Sequence, residues 1–169
     1  MSEATLTCTT YIRAADHQVW DALTDPAATS RWWGVRFETD WRPESSMTWS
    51  EETPRGTVRT AGPGQKVLEA ERPRRLAYTW HVFTAEWAAA QGVDEALHDR
   101  LVHEGASRVT FTVDPAGGPV RLQLVHEFDV DGALRSMVGR GWPALLASLK
   151  SQLETGEPLA DLDPSAADR

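Results

Sequence analysis

Hydrophobic positions along the chain recur with two periods, two residues and about 3.6 residues, and the switches between them outline the elements. Leu6, Cys8, Thr10 and Ile12 share one face of "LTCTTYI", which predicts a strand. Asp16 then offers a helix cap ahead of the stripe Val19, Trp20 and Leu23. Asp25-Pro26 restarts a helix with a capping acid and a first-turn proline, and Gly34 ends it. From Val35 the period falls to two. Val35, Phe37 and Thr39 share a face, as do Met47 and Trp49, and a further strand is expected near Val58. After the turn "AGPG" come Gln65 to Ala70 and "RLAYTWHVF", where Leu76, Tyr78, Trp80 and Val82 lie opposite Ala77, Thr79, His81 and Phe83.

Two more strands follow, "SRVTFTV" and "VRLQLVHEF", joined by the hairpin chemistry of "DPAGGP". One face of each is apolar, so an antiparallel sheet with one wet side is expected. Trp142, Leu145, Leu146, Leu149 and Leu153 repeat at helical spacing before Gly156, with Gly139, Gly141 and Pro143 marking a kink or restart near the beginning. Only Thr84 to Gly105 breaks the alternation. Val93, Leu97 and Leu101 behind a cap at Asp94 predict one short inserted helix: a lid, a dimer contact or a packed excursion.

The totals narrow this picture. A chain of 169 residues suits one domain with a core that needs no disulfide or metal. Its single cysteine, Cys8, cannot form an internal bridge. No apolar run is long enough to span a bilayer, and "MSEATLTCTT" lacks the regions of a signal peptide, so cytoplasmic location without membrane insertion is expected. A formal net charge of −8 opposes nucleic-acid partners. Tryptophan is overused: eight Trp stand against four Phe and two Tyr. An indole joins a large apolar area to one N–H, which suits pockets and interfaces as well as cores.

The order of elements, carried by "AADHQVWDALTDPAATSRWWG", "RPRRLAYTWHV", "SRVTFTV", "VRLQLVHEF" and "GWPALLASLKSQLETG", resembles the helix-grip fold of the START-like (SRPBCC) superfamily. More narrowly, it resembles the bacterial branch related to the activator of heat-shock-protein ATPase. The resemblance implies an α+β domain over residues 1–158: a curved antiparallel β-sheet wrapped around a long C-terminal helix, with two short helices after strand 1. Residues 159–169, acidic and proline-containing, are expected to be a disordered tail.

The same resemblance implies a tunnel between the concave sheet and the long helix. Strand parity then nominates Met47, Trp49, Tyr78, Trp80, Phe111, Leu124 and His126 as one wall, and Trp142, Leu145 and Leu149 as the other. Of the adjacent Trp32 and Trp33, one should plug the core and Trp33 should lie near the mouth. The expected function is binding of a small apolar or aromatic molecule, with no cofactor and no metal. Two alternatives stand beside it. One is a polyketide cyclase/dehydratase-like or hydrolase enzyme with His126 as candidate catalytic acid–base, the weaker option because no second polar group is identified. The other is a module that stimulates a chaperone ATPase; a homodimer stays open. His126 has a plainer reading as a buried neutral histidine bonded to a neighbour. His81 should face the other, exposed side, and His98 and His103 lack metal-ligand spacing.

Overall fold

The computed structural model describes residues 4–115 and 117–159. All but the first residue of the expected tail therefore lies outside the described residues. Strand β1 (Ala4–Ile12) leads into helices α1 (Asp16–Thr24) and α2 (Pro26–Trp32). Strands β2 (Val35–Glu38), β3 (Thr48–Thr53), β4 (Gly56–Thr60), β5 (Val67–Glu71) and β6 (Arg75–Thr79) follow. Helices α3 (Ala85–Gln91) and α4 (Glu95–Glu104) precede β7 (Ser107–Asp114), β8 (Val120–Phe128) and the long helix α5 (Ala133–Thr155). This is the α+β helix-grip fold.

The strands pair antiparallel in the orders β1-β8-β7-β6-β5 and β2-β3-β4. The two sheets are laced together where Met47 N–H donates to Gln65 O and Val67 N–H to Ser45 O. Gln65 secures that seam. Its buried amide donates to Met47 O (2.9 Å) and Thr60 O (2.8 Å) and accepts from Val82 N–H (2.9 Å). A buried amide with such partners is tolerated and holds the register of what it bonds. In β7 and β8 every second residue is buried: Val109, Phe111 and Val113 on one, Leu122, Leu124, His126 and Phe128 on the other.

The helix ends follow their capping chemistry. Asp25 accepts from Ala28 N–H ahead of Pro26, and Gly34 follows α2 at φ +82°, a left-handed conformation that a side chain would strain. α1 differs slightly from expectation: Asp16 is its first helical residue, and Gln18 reaches back to Ala15 N–H. The inserted segment is two helices rather than one, because Gly92 at φ 70° ends α3 before Asp94 caps α4. They pack onto the fold, burying Trp87 and Leu101 with Val58, Phe128 and Leu134. Glu104 at the end of α4 then caps α5, accepting from Ala133 N–H (2.6 Å) and Leu134 N–H (3.0 Å). A Cβ on Gly132 would sit 2.2 Å from that carboxylate, so glycine is what lets the cap approach. α5 runs unbroken through Pro143, beginning at Ala133 ahead of the expected restart.

Candidate functional site

Three regions follow from this scaffold. The first is the layer between the concave sheet and α5. Met47, Trp49, Tyr78, Phe111, Leu124, His126, Trp142 and Leu149 all lie here and are at most 2% exposed. A side chain lining a void that admits water would keep accessible surface on it; these eight keep essentially none. Their rings touch instead. Trp142 lies 5.9 Å from Phe111 and 5.7 Å from Trp80, and Trp49 lies 4.9 Å from Trp80. Trp80, Leu145 and Trp33 are partly buried against the same cluster. As the chains are arranged, the sheet and helix are filled by side chains where a tunnel was expected.

The tryptophan pair divides. Trp32 is buried, stacked 5.3 Å from Trp33, and its Nε1–H donates to Ala22 O (2.8 Å), pinning α2 to α1. Trp33, just past the helix, meets Phe37 (5.4 Å), Trp49 (5.7 Å) and Trp142 (5.2 Å). The indole N–H of Trp49 is buried without a polar partner, and the surrounding ring faces are what remain to receive it.

The second region is His126. Its Nδ1 accepts from Trp142 Nε1–H at 3.2 Å, and its Nε2 is 2.9 Å from Ser107 Oγ. An indole nitrogen only donates, so Nδ1 must be bare and the ring hydrogen sits on Nε2, donating to Ser107. That polarity is the reverse of a serine nucleophile activated by histidine, where the imidazole must accept the hydroxyl proton. Burial pushes the His126 pKa down to about 3, and Phe128 stacks on the ring at 4.2 Å. The inward orientation was legible from parity; its partners were not. His81 corrects the expectation of exposure: it is buried against Trp49, Phe83 and Trp87, bonds through Nδ1 to Val82 O, and burial lowers its pKa to about 4. It lies beyond Thr79, the last residue of β6, so strand parity no longer governs it.

The third region is a groove of about 780 Å³, open to solvent, where α1, α2, the segment after β2 and the end of α5 meet. Trp41 forms its aromatic wall, backed by the buried Phe37 and Ala22, and Leu153 adds apolar surface. Asp21, Thr24, Asp25 and Gln152 also line it. Trp41 is held at φ 56°, a left-handed conformation costly for a bulky residue, and packs on Phe37 (5.9 Å) and Tyr78 (6.1 Å). Gln152 donates to Ala28 O (3.3 Å) while its Oε1 is buried with no partner. Composition did not single this region out, because its walls come from three separated stretches of the chain, 18–28, 37–41 and 152–153. Among the described residues, no three His, Cys, Asp or Glu side chains converge as a metal site. None of the described helices is long and apolar enough to cross a membrane.

Comparison with solved structures places the fold in wide company. A protein from Arthrobacter aurescens superimposes with a TM-score of 0.69 at 18% identity, covering 93% of this chain and 90% of that one. The Aha1 dimer from Colwellia psychrerythraea gives 0.62 at 16% identity, covering 90% and 98%. CalU16 from Micromonospora echinospora gives 0.60 at 22% identity, covering 93% and 78%. At such identities the likeness is one of fold. No curated protein matches the sequence. Residues 13–154 match the family described as Activator of Hsp90 ATPase homolog 1-like protein, whose fold serves as a ligand-binding or Aha1-like module in general. The chain belongs to that family, within the START-like (SRPBCC) superfamily.

Proposed function

We propose that this protein binds a small hydrophobic or aromatic molecule, and that the groove beside Trp41 is where the molecule first rests. The observation that carries this reading is the groove's size and wall: about 780 Å³, with Trp41 presented over the buried Phe37 and an otherwise closed aromatic core. Ligand sites are commonly of this order, roughly 300–1,000 Å³, with apolar walls and a few polar groups that set orientation. Trp41 packs on Phe37 and Tyr78, so a guest on Trp41 lies one ring away from the cluster. Passage deeper, to Met47, Phe111, Leu124, His126, Trp142, Leu145 and Leu149, requires Phe37, which stands between the groove and that layer, to move aside. The enzyme reading is less favoured, because both nitrogens of His126 are already engaged and neither is free to accept a proton.

The test uses N-phenyl-1-naphthylamine, a neutral apolar fluorophore. Its emission should rise saturably with protein, and Trp41→Ala should weaken binding about tenfold, the loss of one ring contact and its buried area. Emission that never saturates, or saturation that ignores position 41, sinks the assignment.

A further inference from the structure

The inserted segment rejoins the sheet through a short stretch, Glu104 to Ser107, that holds α5 in two places. Glu104, the last residue of α4, accepts from Ala133 N–H and Leu134 N–H, one to each carboxylate oxygen. Three residues later Ser107 Oγ accepts from His126 Nε2–H, and His126 Nδ1 accepts from Trp142 Nε1–H. One end of the stretch therefore grips the first turn of α5. The other grips its middle, about 14 Å further along the helix axis. Gly105 stands between them at φ +84°, a left-handed conformation that suits glycine.

The helix has little else to hold it at that end. Gly132 brings no side chain to cap it, and its first turn contains no acidic residue. Leu134 is buried, so water is a poor substitute for the carboxylate at its N–H. The charge of Glu104 also faces the positive end of the helix dipole, which strengthens both hydrogen bonds.

The seam beside this contact is apolar and shut. Glu104, Ser107, Phe128, Val130 and Leu134 line a dimple with no room for a water molecule. Phe128 stacks on His126 at 4.2 Å, so the dimple lies one ring away from the layer under α5.

We infer that Glu104 is a latch for α5. While the carboxylate is in place the seam stays closed. When it lets go, the start of α5 and the chain Ser107–His126–Trp142 loosen together, and the layer opens at the end of α5 far from the groove. The inference rests on the small-molecule reading only for what such an opening would admit.

Two variants release the latch by different means. Glu104→Ala removes the carboxylate, and Gly132→Ala places a methyl group 2.2 Å from its Oε1. The readout is hydrogen exchange of the Trp142 indole N–H by NMR, set beside global stability from urea unfolding. In both variants the indole should exchange about tenfold faster than in the parent, and faster than global unfolding allows. Val19→Ala, which destabilises the protein through α1, should leave that exchange at the rate set by global unfolding. A cap that serves only its own turn would speed the amides of Ala133 and Leu134 and leave the Trp142 indole unchanged, and that result overturns the latch. With Trp41→Ala added to Glu104→Ala, N-phenyl-1-naphthylamine should bind more tightly than to Trp41→Ala alone; no gain overturns the opening. The groove reading is judged on Trp41→Ala by itself, so the two failures are distinguishable.

Discussion

Phe37 stands between two regions built from the same residue types and finished differently. On its inner side, Trp33, Trp49 and Tyr78 lead to Trp142 and His126, where rings lie edge to face and water has no place. On its outer side, Trp41 and Leu153 border an open groove rimmed by carboxylates. Both regions are aromatic, so aromatic content does not separate a core from a binding surface. What separates them is whether opposing elements are close enough for the side chains to meet. Large rings from the sheet and from α5 meet around Trp142, whereas α1, α2 and the end of α5 leave an open groove beside Trp41.

The contrast can be broken most forcefully at Trp142. Because the inner layer is tightly packed, Trp142→Ala should cost about 3–5 kcal/mol in denaturant unfolding, through the cavity it leaves and the unpaired Nδ1 of His126. A cost under about 1 kcal/mol would mean the layer already yields, and the tunnel would return as a binding site.

Acid should sharpen the same difference. His81 and His126 have folded pKa values of about 4 and about 3, below their ordinary value of 6.5. Below pH 6.5 the unfolded chain takes up protons that the folded chain refuses. Stability is therefore full above pH 6.5 and declines as pH falls towards 3. At pH 5 the loss should be about 2 kcal/mol for each histidine. Urea midpoints that stay level from pH 7 to 5 would show that these rings are not sealed.

The smallest effect belongs to the outer region. Because Trp41 sits at φ 56°, Trp41→Gly should be more stable than Trp41→Ala by roughly 1 kcal/mol, although glycine is usually the worse residue. Alanine matching or exceeding glycine in thermal unfolding would remove strain from the account of this loop.

Much of this architecture was legible in local chemistry. The Asp25-Pro26 start, the glycine stops at Gly34 and Gly156, and the alternation in β7 and β8 each act over a few residues, and each is present. His126 could be assigned inward by counting from Leu122 and Leu124. Counting failed where a strand had ended, as at His81. It also failed to find Glu104 as the cap of α5, because that carboxylate belongs to another helix 29 residues away from Ala133.

Periodicity and capping are properties of neighbours in the chain, so the sequence by itself determined the order of the elements outside the inserted segment and, within the strands, which side faces inward. The distance between facing layers belongs to no single element. It is set by how many large side chains arrive from both sides at once, and by where helices diverge. Only the tertiary structure decided that the rings under α5 fill their layer, that His126 gives its hydrogen to Ser107, and that the open space lies beside Trp41.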